Sequence, residues 1–247
     1  LLSLLLIAIA IMRCDRCPRP LRRLHQLKYS PYAIFIGGGI AFALFLIAMI
    51  FYPGTFYNPC MRMLSVLGRT RLNGIDYPAC HYLFTIGLSI SALAAARFFP
   101  ALACFVKGDQ HKAWLLWGGA INAAGLLAIA FVPENINGYC HNLGCFAAVG
   151  GGALVLFQLT SGRSNPRVSK VVRWSWLAWC LLLVTVFELF LLCHRFKLLP
   201  FAPYVPTCQK LLILTFAAWL SYYAVTLFSL TRKRSCRAAA RSGILPP

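Results

Sequence analysis

Long apolar stretches alternate with short polar and basic ones along the whole chain. Six stretches approach or exceed the roughly 20 residues an α-helix needs to cross a hydrocarbon core. They run from about Ala33 to Tyr52, His81 to Val106, Ala113 to Val132, Asn142 to Leu159, Trp174 to Cys193 and Leu211 to Leu230. Apolar side chains go all the way round each stretch, which suits lipid contact or burial rather than a surface helix. No alternating pattern of the barrel type occurs. The pattern predicts an all-α polytopic integral membrane protein, a six-transmembrane-helix bundle over residues 33–230. Residues 1–32 form an apolar stretch followed by a basic segment, and 231–247 a basic tail. Leu1 to Met12 is apolar but short. It reads as an extra N-terminal helix, either a truncated seventh span or an interfacial helix, or else as a residual leader. Positive charges follow it instead of preceding it, unlike a standard signal peptide.

Composition sharpens this picture. The 247 residues are 60% hydrophobic and 12% charged, with a mean hydropathy of +0.72. Soluble domains are about 45–50% apolar and about 25% charged, so a soluble globular domain is excluded, and so is disorder. Lys and Arg number 24 against 5 Asp and Glu. These cations sit between apolar runs, so they report membrane topology and anionic lipid head groups; without an aromatic–basic interleaved surface, nucleic acid is not an expected partner. Eighteen of the 24 fall on one side of the predicted bundle, which places both tails in the cytoplasm; a plasma or inner membrane is the expected location, with an organelle membrane as the alternative. Arg22, Arg23, Arg163, Arg167, Arg232 and Arg234 are the candidate contacts to anionic lipid. Trp114, Trp174, Trp176 and Tyr29 lie near the same ends as interfacial anchors.

The first external connection, Pro53 to Cys80, is rich in Pro and Gly and reads as an ordered loop over the outer mouth of the bundle. Gly37-Gly38-Gly39, Gly118-Gly119 and Gly150-Gly151-Gly152 read as packing seams, because helices in lipid associate through close backbone approach. Pro100 predicts a kink in the second span.

Ionisable groups in or near a membrane are costly and point to function. His81, His141 and His194 fall at outer hairpin ends, with Asp76, Glu134 and Glu188 nearby; Asn122 lies mid-way along the third span. Together, Glu134, His141, His81, Glu188, Asn122, Asp76 and His194 are candidates to line a polar pocket at the outer face. Glu188 stands among apolar neighbours and needs a partner, Asn122 or His141. His81, His141 and Glu134 carry the ligand types zinc prefers, and an open position there could activate water. The bland alternative is that these residues cap helices at a wet interface. Ser65 serves as a nucleophile only if a base approaches it. Sequence signatures of serine hydrolases, zincins and P-loops are missing. Cys60, Cys80, Cys140 and Cys208 could form two disulfides if the outer compartment is oxidising, whereas Cys14 and Cys17 read as an incidental C-x-x-C pair.

Three segments carry a resemblance. They are "YPGTFYNPCMRMLSVLG" from Tyr52 to Gly68, followed by "YLFTIGL" from Tyr82; "FVPENINGYCHNLGCFAAVGGGALVLF" from Phe131 to Phe157; and "CQKLLILTFAAWL" from Cys208 to Leu220. In their order and spacing they resemble the six-helix membrane family catalogued as domain-of-unknown-function family 998, and distantly the Frag/DRAM-type membrane proteins. "SVLG" at Ser65 to Gly68 lacks the acid of that family's "SELG" loop. The resemblance implies a six-helix bundle with the Glu134 and His141 segment at its outer face, and it implies no particular activity. The preferred expectation is the binding or handling of a membrane lipid or other amphiphile by the outer polar pocket. An intramembrane metal-dependent hydrolase using the same residues is the first alternative. A structural or assembly subunit is the second.

Overall fold

The computed structural model describes residues 20–53, 57–58, 62–72, 74–103, 106–161 and 205–241, with some helical positions between 174 and 189; of 20–29 and 230–241 only the helical backbone is described. Five long helices dominate: α1 (Pro20–Ile50), α2 (Pro78–Leu102), α3 (Asp109–Phe131), α4 (Gly138–Ser161) and α5 (Val205–Arg241). Each contains a segment long and apolar enough to cross a membrane. The chain is an all-α multi-pass membrane protein, as its hydrophobic pattern predicts.

The helices run past the apolar runs because flanking residues add hydrogen-bonded turns. α1 begins at Pro20, 13 residues before the expected span, and α5 continues through the basic tail to Arg241. Gly108, at φ +91°, precedes α3 and lets the chain reverse after α2. Pro100 falls in the last turn of α2, which ends two residues later. Between α4 and α5, Leu177 joins the core and Trp179 Nε1 donates to Thr215 Oγ1 at 3.1 Å, so the described part of the predicted fifth span lies beside α5.

Packing follows chain order, α1 on α2, α2 on α3, α3 on α4, with α5 returning to α1. The tightest seam is α3–α4. Gly118 faces Gly151 and Gly125 faces Gly144, while His111 Nδ1 meets Gln158 Oε1 at 2.8 Å further along. These positions recur every seven residues on both helices, a spacing that keeps one face of each helix on the other. Near the middle, Asn122 Nδ2 donates to the Ala148 carbonyl at 2.6 Å. By contrast, a Cβ on Gly38, Gly39 or Gly150 would meet nothing within 4 Å, so those glycines of the expected seams do not pack against the described chain.

Two buried clusters stabilise the bundle. One gathers Phe98, Phe99, Leu102, Leu115, Leu156 and Trp219; the other, nearer the loop 51–77, gathers Ala48, Tyr57, Leu67, Cys80 and Phe84. That loop holds a 3-10 turn (Leu64–Gly68) and a two-residue antiparallel ladder, β1 (Arg71–Leu72) with β2 (Ile75–Asp76). Gly74, at φ +83°, makes the reversal between the strands. Cys80, Cys140 and Cys208 are free thiols, which corrects the expected disulfides among these residues; Cys80 Sγ instead donates to the Ala48 carbonyl at 3.3 Å. Cys60, the fourth expected partner, lies outside the described residues.

Candidate functional site

The C-terminal ends of α1 and α3 and the N-terminal ends of α2, α4 and α5 meet at one end of the bundle, and the described loop residues 62–72 lie across them as a cap. Leu67 and Gly68 are buried, and a Cβ on Gly68 would stand 2.6 Å from the Phe84 ring, so this turn is pressed onto α2. The 3-10 turn leaves polar groups that other segments satisfy. Leu64 N donates to Gln209 Oε1 of α5 at 2.9 Å. Ser65 Oγ donates to Glu134 Oε2, in the α3–α4 connection, at 3.3 Å. Arg69 Nη2 stands 3.3 Å from that same oxygen. The Gly68 carbonyl accepts from His81 Nδ1 at 2.8 Å. One residue on, Thr70 N donates to Asn135 Oδ1 at 3.2 Å, and Asn135 Nδ2 donates to Thr70 Oγ1 at 3.0 Å.

A second group flanks the turn on its N-terminal side. Lys210 Nζ donates to the Arg62 carbonyl at 2.6 Å and lies over the Tyr57 ring. The Arg62 guanidinium lies over Tyr52 and donates to its hydroxyl. The Tyr57 hydroxyl donates to the carbonyls of Arg62 and Met63 at 3.0 and 3.1 Å. Burial pushes the Tyr57 phenol well above its ordinary value, nearby Tyr52 and Cys80 push it further, and Arg62 opposes the rise. The phenol therefore stays a donor, which both carbonyls require.

His141 is 2% exposed. Its Nδ1 lies 2.8 Å from the Val132 carbonyl, which can only accept, so Nδ1 carries a hydrogen, and in the neutral ring Nε2 then holds the lone pair. That Nε2 is buried and has no hydrogen-bond partner, and the same is true of Arg69 Nε. Exposed apolar side chains surround this end of the α3–α4 hairpin: Phe131, Ile136, Tyr139 and Leu143.

Of the residues expected to share one pocket, Glu134 and His81 bond to the cap, and His141 lies at the same end of the bundle, bonded to Val132; the three do not assemble a metal site. Among the described residues no group of three or more His, Cys, Asp or Glu side chains could hold a metal ion. Glu134 is already engaged, its carboxylate facing Arg69 and Ser65, whereas the Nδ1–carbonyl contacts of His81 and His141 only fix the ring orientation and do not by themselves bar a metal from Nε2. Asp76 does not join the pocket either, because it pairs with Arg71 across the exposed ladder. Asn122 is nine residues from the end of α3, about 14 Å along the helix at 1.5 Å per residue, and belongs to the seam. Glu188, His194, Arg163 and Arg167 lie outside the described residues, as do the side chains of Arg22, Arg23, Arg232 and Arg234.

Sequence reasoning missed Arg69, Arg62, Gln209 and Lys210 as site residues. The available signal was the polar pair Gln209-Lys210 at the head of an apolar helix, where polar groups need partners. No family model matches the chain, and no curated protein or solved structure is significantly similar to it.

Proposed function

We propose that this multi-pass membrane protein binds the polar head group of a lipid or similar amphiphile at the cap. The observation that carries the reading is the unpartnered buried donor Arg69 Nε at the Arg69–Glu134 contact, with a second unpartnered buried atom, the acceptor His141 Nε2, in the first turn of the helix that follows Glu134. A buried polar atom without a partner costs about 1–3 kcal/mol, and a head group offering both an oxygen and a hydroxyl relieves that cost at both atoms. The exposed Phe131, Ile136, Tyr139 and Leu143 supply apolar surface next to these polar atoms, which suits a molecule with a tail.

Native mass spectrometry of the full chain, extracted in a maltoside detergent, tests the reading. Wild type should carry a lipid adduct that survives detergent exchange, and His141→Phe should retain about tenfold less. Equal retention by both, or no adduct on either, overturns it.

A structural or assembly role is the second reading. It is favoured by Ser65, Thr70, Asn135 and Gln209, whose hydrogen bonds all join one segment of this chain to another. A stable complex with other proteins on mild extraction, with no lipid adduct, would select it.

A further inference from the structure

We infer that the group recognised at the cap is a phosphate ester, and that Arg69 takes it by exchanging it for Glu134. This rests on the head-group reading above and adds the chemistry of the ligand.

Charge comes first. Among the described residues, three cations, Arg62, Arg69 and Lys210, and one acid, Glu134, stand around the 3-10 turn; the other acid of the loop, Asp76, is matched by Arg71. The described residues of the cap therefore carry an excess of positive charge. A cationic head group would meet repulsion there, and an anionic one attraction.

Geometry supplies the exchange. Arg69 Nη2 and Ser65 Oγ both reach the same Glu134 oxygen, each at 3.3 Å. Charge-assisted contacts of this kind are normally about 2.7–2.9 Å, so neither is close. Both ion-pair side chains are about one third exposed, at 33% and 35%, and such pairs contribute roughly 0–1 kcal/mol. Arg69 Nε, on the same edge of the guanidinium as Nη2, has no partner. That edge offers two parallel N–H groups, the arrangement that two phosphate oxygens accept bidentately. Glu134 occupies half of it. A phosphate on the whole edge gives Nε its acceptor, frees Ser65 Oγ to donate to a third oxygen, and leaves Glu134 displaced toward solvent.

Glu134 is on this account a competitor for Arg69, so removing its charge should strengthen binding. The test titrates the full chain in maltoside micelles, which contain no phosphate, with phosphatidate, with diacylglycerol bearing the same acyl chains, and with inorganic phosphate. Binding is read from native mass spectra and thermal shift. Phosphatidate should bind and diacylglycerol should not. Arg69→Gln should weaken phosphatidate about tenfold, and Glu134→Gln, which keeps a polar group of the same shape, should tighten it about threefold. If Arg69→Gln fails to fold, the gain in Glu134→Gln still decides the matter. Equal binding of both lipids, unchanged in Glu134→Gln, overturns the phosphate inference while the head-group reading stands. Arg69-dependent stabilisation by inorganic phosphate without any lipid binding supports the phosphate site and overturns the lipid source. No binding of any probe overturns both.

Discussion

Gly125 and Gly144 face each other across the α3–α4 seam so closely that a Cβ on Gly125 would stand 2.7 Å from the Gly144 carbonyl oxygen. The obstructing atoms belong to the partner helix backbone and cannot swing aside, so the two helices must part to admit a methyl group. Gly125→Ala should therefore destabilise the bundle by about 3 kcal/mol, at the upper end of overpacking costs. Gly150→Ala, in open space on α4, should leave stability unchanged or raise it by up to about 1 kcal/mol through helix propensity. Thermal unfolding of the two variants in one detergent checks the contrast, and similar melting temperatures would remove the seam.

Asn122 holds the same seam by a polar contact. Its Nδ2 donates to the Ala148 carbonyl, while its Oδ1 is buried without a partner. Loss of one interhelical hydrogen bond in a membrane costs about 0.6–1.7 kcal/mol. Asn122→Ala should lower stability within that range, because relief of the unpartnered Oδ1 offsets part of the loss. A gain in melting temperature would show that the unpartnered oxygen outweighs the bond.

The cap is clamped to α5 by Gln209. Gln209→Ala leaves Leu64 N without its acceptor and should cost about 1 kcal/mol locally. The effect belongs to the loop more than to the bundle. Limited proteolysis should accelerate within residues 62–72 while the global melting temperature moves little.

Tyr57 links the cap to pH. Its folded phenol is raised above the ordinary 10.0, chiefly by burial. A raised pKa means that the stabilisation is complete below the unfolded value near pH 10 and is lost as pH rises through the folded one. Spectrophotometric titration should find one tyrosine ionising later than the exposed ones, together with loosening of the cap at high pH. Tyr57→Phe should remove that late step. A normal titration of all tyrosines in the wild type would contradict the buried placement.

The thiols offer a direct check on the connections at the cap. Cys140 is exposed, and Cys80 is buried and bonded to Ala48. Maleimide should label Cys140 in the folded protein and leave Cys80 untouched until unfolding. Reductant should not change the melting temperature through Cys80, Cys140 or Cys208. A reductant-sensitive transition that disappears in Cys140→Ser would refute the free state.

The membrane-spanning helices were legible in the chain because hydrophobic length is a local property: a run such as Phe35 to Ile50 needs only its own residues to declare a span. The Gly118–Gly119 and Gly151–Gly152 seams were legible for the same reason, since a missing side chain marks close approach wherever the partner is. That logic could not tell Gly151, pressed against Gly118, from neighbouring Gly150, which meets nothing, because helix rotation is decided between helices.

Sequence by itself determined the class of protein, and Glu134 and His141 as polar residues placed where polarity is costly. Only the tertiary structure decided their partners. It set Glu134 against Arg69 and Ser65, turned His141 Nδ1 to the Val132 carbonyl, sent Asp76 to Arg71, and kept Asn122 in the seam. A residue's type states what bonds it can make, but the bond made goes to whichever group folding brings within about 3 Å. For the loop 62–70 those groups come from α2, from the α3–α4 turn and from α5, up to 148 positions away along the chain.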